Sequence, residues 1–100
     1  MSDRTVLLKN GNVISEDLLR AYNSLLRILF MHNAIALRDF VLYCRDPERQ
    51  MHPANIKLMV NLGIMKPDHT PYPVFKDYVL CTVIGDGIEM EIIDPRVITS

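Results

Sequence analysis

Residues 73–95 read PVFKDYVLCTVIGDGIEMEIIDP, and this stretch decides the fold. As a helix, Pro73–Ile84 begins with proline at the first helical position and stops before Gly85. Val74, Tyr78 and Cys81 then share a face, with Val79, Thr82 and Val83 beside them. As a strand, Tyr78–Ile84 is rich in β-branched residues, and Gly85-Asp86-Gly87 turns it into a hairpin with Ile88–Ile93. The proline and glycine punctuation favours the helix. Ile88–Ile93 reads as a strand in either case. Ile88, Met90 and Ile92 alternate with Glu89, Glu91 and Ile93, which gives one apolar face and one mostly acidic face. Asp94-Pro95 stops it.

Upstream, Thr5–Leu8 and Val13-Ile14 flank Asn10-Gly11, a short hairpin signal. Ser15 is placed as a helix N-cap, with Glu16 and Asp17 at the positive end of the helix dipole. The helix runs from Glu16 to about His32. Leu18, Tyr22, Leu25 and Leu29 form its stripe, and Leu19, Leu26, Phe30 and Ile28 widen it. Glu16, Arg20, Asn23, Ser24 and Arg27 hold a narrow polar face. So wide an apolar arc predicts a helix that is central to the fold or covered by another chain.

His32-Asn33 breaks the pattern, and a second helix fits Ala36–Arg45, with Leu37, Phe40, Val41 and Cys44 inward and Pro47 ending it. Pro53 opens a third helix whose inner residues are Ile56, Met59 and Val60. Gly63 is placed to end it in a left-handed cap, with Ile64 as the apolar residue just beyond. Lys66–Tyr72, with two prolines, reads as a loop. The expected fold is a single small α+β domain over residues 1–100, mainly helical, with three to four helices and a short hairpin or small sheet.

Composition narrows the function. The chain has 100 residues, 49% apolar and 23% charged, enough apolar surface for one core. No apolar run reaches the ~18 residues of a membrane span, and the first residues lack the apolar core of a secretory signal. A cytoplasmic location is expected; export by a route without an N-terminal signal reads the same. The net charge of −1 gives no general attraction to nucleic acid or anionic membrane. Cys44 and Cys81 form no CxxC pair and read as reduced core thiols.

Chemistry-bearing constellations are sparse. His32, His52 and His69 are far apart, and none pairs with another His or Cys at metal-ligand spacing, so no metal or cofactor is expected. A catalytic trio of Cys44 or Cys81 with His69 and Asp68 can be written down, but both thiols lie in apolar patterns that suppress reactivity. Glu89 and Glu91 read as a solvated strand face. Gly85-Asp86-Gly87 lacks the further glycines and the lysine of phosphate loops, and its own charge repels phosphate.

Arg20 and Arg27 lie seven apart on the first helix, and Arg38 and Arg45 seven apart on the second. With Lys57 they are the candidate contacts to an acidic partner or to nucleic acid.

Three helices followed by a hairpin across Gly85-Asp86-Gly87 resemble, in element order, a winged helix. The resemblance implies a DNA-reading third helix, but that helix offers only His52, Asn55, Lys57 and Asn61, and the wing is acidic. The segment YVLCTVIGDGIEMEIIDP, Tyr78–Pro95, resembles C-terminal segments of small bacterial proteins of uncharacterised function, in which a helix ends in a Gly-acid-Gly turn and leads into a strand. That resemblance implies a helix at Pro73–Ile84 and no particular activity.

The leading expectation is therefore a non-enzymatic protein–protein interaction domain that forms a homo-oligomer. Its candidate interface is Leu19, Leu26, Phe30, Leu42, Tyr43, Leu58 and Leu62. The alternatives are a winged-helix nucleic-acid-binding regulator and a small cysteine-dependent enzyme.

Overall fold

The computed structural model describes residues 4–85 and 90–96. The chain opens with an antiparallel hairpin of β1 (Thr5–Leu7) and β2 (Val13–Ser15), in which Val6 lies opposite Ile14. The connection turns through Gly11 at φ 90°, a conformation that costs a side-chain-bearing residue energy, and Asn10 Oδ1 accepts from Asn12 N–H. On its other edge the hairpin is extended by an antiparallel bridge between Leu8 and Arg96. The first hairpin and the last described residues thus meet.

Ser15 closes β2 and caps α1 (Glu16–Arg45), its hydroxyl accepting from Leu18 N–H at 3.1 Å. The helix is kinked. Asn33 leaves helical geometry (φ −156°, ψ 70°), and its Oδ1 accepts from Ala36 N–H at 3.1 Å. Asn33 therefore caps a second arm, 34–45, laid against the first arm, 16–32. The expected break at His32-Asn33 is present: two helices meet there across a kink, with no linker between them.

The two arms carry the core. Leu19, Leu26 and Leu29 from the first join Leu37, Phe40, Val41 and Cys44 from the second. Leu18, Tyr22, Leu25 and Phe30 are half-buried at its rim. The deepest ridge of the first arm thus runs along Leu19–Leu26–Leu29 rather than along Leu18–Tyr22–Leu25–Leu29. The reason is tertiary. This helix packs against α2, α3 and both strands of the first hairpin, so its wide apolar arc is covered mostly by its own chain.

α2 (Pro53–Asn61) ends in the expected glycine cap. Gly63 at φ 77° donates to the Val60 carbonyl, Ile64 N–H reaches back to the Met59 carbonyl, and Ile64 is buried just beyond. The following loop contains a tight turn at His69, whose φ of 69° is rare for a residue with a side chain.

The stretch 73–95 contains both alternatives, one after the other. α3 (Pro73–Thr82) is the helix, and β3 (Val83–Ile84) pairs antiparallel with β4 (Glu91–Ile92). The helical face of Phe75, Tyr78, Val79 and Thr82 is buried, and the β-branched end, Thr82-Val83-Ile84, unwinds into extended chain before Gly85 at φ 93°. Of the expected strand Ile88–Ile93, the residues Ile88 and Glu89 lie outside the described residues. Tyr22, Tyr78, Phe75 and Phe40 form an aromatic cluster, with Tyr22 edge-on to Phe75 at 4.7 Å and Phe40 6.0 Å from Phe75. The architecture is α+β: a helical body with two short antiparallel hairpins. α3 stands between α2 and the second hairpin, where the winged-helix element order passes straight from third helix to wing.

Candidate interaction surface

The kink that splits α1 leaves an apolar corner uncovered. Met31 is 80% exposed, Ile35 77% and Ile28 57%. Ile28 and Met31 lie one turn apart at the end of the first arm, and Ile35 lies in the first turn of the second. Phe30, half-buried, flanks them. With Met90, Ile92, Arg27 and Glu91 it lines, beside Met31, a hollow of about 340 Å³. The corner lies where Asn33 redirects the chain.

Several residues expected at an interface lie elsewhere. Leu19 and Leu26 are core residues, Leu26 with no exposed surface, so neither can meet a partner without unfolding. They sit at the margin of the helical stripe, yet both are enclosed in the core. Leu42, Tyr43 and Leu58 are half-buried and Leu62 is exposed. The most exposed apolar residues, Met31 and Ile35, were missed. Their signal was the break itself: apolar residues beside a capping Asn have no assured helical face to share.

The arginines do not form one basic face. Arg20 is paired with Glu16 at 3.0 Å. Arg45 donates to the Gly85 carbonyl at 2.7 Å and to the Val83 carbonyl at 2.9 Å, tying the end of α1 to β3. It is a structural clamp, not a free contact for an acidic partner. Lys57 is exposed on α2. Arg27 is exposed on the first arm, and Arg38 is half-buried on the second.

Arg38 instead shares a cleft of about 460 Å³ with Arg49, which sequence spacing did not single out. Asp39 stands at the same place. Its Oδ2 accepts from His52 N–H and from Asn55 Nδ2, both at 2.9 Å, fastening the second arm to the start of α2. His52 is the N-cap of α2, its Nδ1 accepting from Ala54 N–H at 3.1 Å.

The other titratable groups are dispersed. Asp68 accepts from Thr70 N–H and Thr70 Oγ1, and these bonds hold its carboxyl below the usual range. The turn itself is fully exposed over Asp68, His69 and Thr70. Cys44 and Cys81 are buried free thiols. Burial pushes the Cys44 thiol up to about 12, against the smaller pull of Lys76 and Arg45. Among the described residues, no group of three His, Cys, Asp or Glu could hold a metal ion. Among the same residues, no helix is long and apolar enough to cross a membrane. Glu91 is exposed on β4, and Asp86, Gly87 and Glu89 lie outside the described residues.

Compared with known proteins, the chain matches no family model, no curated protein and no solved structure.

Proposed function

We propose that this chain is a cytoplasmic protein–protein interaction domain that associates with a second copy of itself through the bend of α1. The observation that carries the reading is the exposure of Met31, Ile35 and Ile28 on adjoining turns of one kinked helix. Three large apolar side chains exposed at one corner form a patch that a partner surface would cover. A two-fold contact suits a convex corner: the same patch serves both copies, and each bend lies across the other. Phe30 and the hollow beside Met31 give the patch depth.

Sedimentation velocity over a micromolar concentration series tests the reading. A reversible monomer–dimer equilibrium is expected. A monomer at every concentration would remove self-association as the function.

A further inference from the structure

The cleft between the second arm of α1 and the start of α2 is a separate feature from the apolar bend, although Ile35 stands at the edge of both. Its walls are Ile35, Leu42 and Ala54 on the apolar side and Arg38, Arg49, His52 and Asp39 on the polar side. Two cations from different elements, α1 and the 46–52 connection, face the same space. Neither guanidinium forms an ion pair or hydrogen bond among the described residues. That sets them apart from Arg20, Arg45 and Arg96, which all have partners in the fold.

Arg38 is the more constrained of the two. The residue is half-buried, and its Nε is shut away from water with no acceptor among the described residues. Its stem is therefore packed against the protein, which leaves the outer guanidinium nitrogens to meet a ligand. A half-buried guanidinium with no direct ion pair among the described residues gains from an incoming anion. The start of α2 is not the binding element, because His52 and Asp39 already cap it.

The geometry points to a carboxylate site: the cleft binds a carboxylate beside an apolar side chain, as a protein segment ending in an apolar residue presents it. Charge complementarity selects this occupant. Two guanidiniums against the single carboxylate of Asp39 leave one net positive charge, which suits a monoanion. A phosphate dianion would be set beside Asp39 as well. Ile35, Leu42 and Ala54 supply a wall that a bare inorganic anion cannot use. Naming a protein segment as the source rests on the interaction-domain reading; the anion site itself stands without it.

The test is a titration followed by the side-chain Nε–Hε signals of Arg38 and Arg49 in nitrogen–proton correlation spectra. The probes are N-acetyl-leucine, its uncharged amide, and inorganic phosphate. N-acetyl-leucine should give a saturable shift of both arginine signals at millimolar concentration. The amide should give none, and phosphate should bind several-fold more weakly. Arg49→Gln, an exposed substitution, should weaken N-acetyl-leucine binding about tenfold, and Arg38→Gln at least as much. No saturable shift, an equal response to phosphate, or wild-type binding by Arg49→Gln would overturn the proposal. Repeating the titration on Met31→Gln separates the two ideas. If that variant still self-associates, the bend is not the interface, and the cleft is judged on its own titration.

Discussion

Replacing Met31 by glutamine isolates the contribution of the bend to association. Glutamine is nearly isosteric with methionine and has a similar helix propensity, so the helix itself is little disturbed. Met31 is 80% exposed in the single chain, so almost its whole side chain is available to a partner and almost none supports the fold. Burying a methionine side chain is worth about 2 kcal/mol. A two-fold interface buries it on both copies, so the substitution should cost dimerisation about 4 kcal/mol, near a thousandfold in the dissociation constant. Sedimentation velocity on wild type and variant reads this directly, and thermal unfolding of the dilute monomer serves as the control. The dimer should be lost at micromolar concentration while the monomer's unfolding temperature stays within a degree or two. A dimer of unchanged affinity would refute the placement of the interface. A large fall in monomer stability would refute the claim that Met31 lies outside the core.

Other consequences follow from particular contacts. Asn33→Ala removes the acceptor that caps the second arm, and chemical denaturation should show a loss of about 1 kcal/mol, with Asn33→Asp retaining most of the stability. Arg45→Met keeps the apolar stem but deletes both bonds to the Val83 and Gly85 carbonyls, at a cost of about 1–2 kcal/mol, and Arg45→Lys should fall between variant and wild type. Cys44, with its thiol at about 12, should resist a thiol reagent near neutral pH until the protein is denatured. The same thiol makes stability depend on alkaline pH. The unfolded thiol ionises near 9 while the folded one keeps its proton, so its contribution is full below pH 9 and lost as pH rises towards 12. A Cys44→Ala variant should show a shallower slope in urea denaturation across the same range, the rest coming from the buried tyrosines Tyr22 and Tyr78. Asp94, held down at about 2 first by its hydrogen bond from Arg96, should titrate in a carboxyl NMR experiment with its midpoint near that pH, below an ordinary aspartate.

Local chemistry wrote much of this fold into the sequence. Asn10-Gly11 placed a hairpin, Ser15 a helix start, Asn33 a break, Pro53 and Pro73 two further helix starts, and Gly63 a cap, because each acts through backbone geometry within a few residues. The inward face of the second arm, Leu37, Phe40, Val41 and Cys44, was equally legible, since its spacing marks one face of a helix. Stretch 73–95 marks where local reasoning stopped. Helix and strand signals overlapped there because Thr82-Val83-Ile84 suits either state, and pairing with Glu91-Ile92 made the end a strand. Tertiary packing alone decided which apolar residues stayed outside. The first arm offers an almost continuous apolar surface, and only the packing of the other elements on it determines that Leu19 and Leu26 are enclosed while Ile28 and Met31 are not. The arginines follow the same rule. Spacing along a helix fixes which way a guanidinium leaves its helix, but not what waits there: for Arg45 it is the backbone of β3, and for Arg38 an open cleft with Arg49 in its wall. The Arg45 pairing spans 38 positions in sequence, and no local pattern encodes a contact whose two halves are brought together only by the packed core.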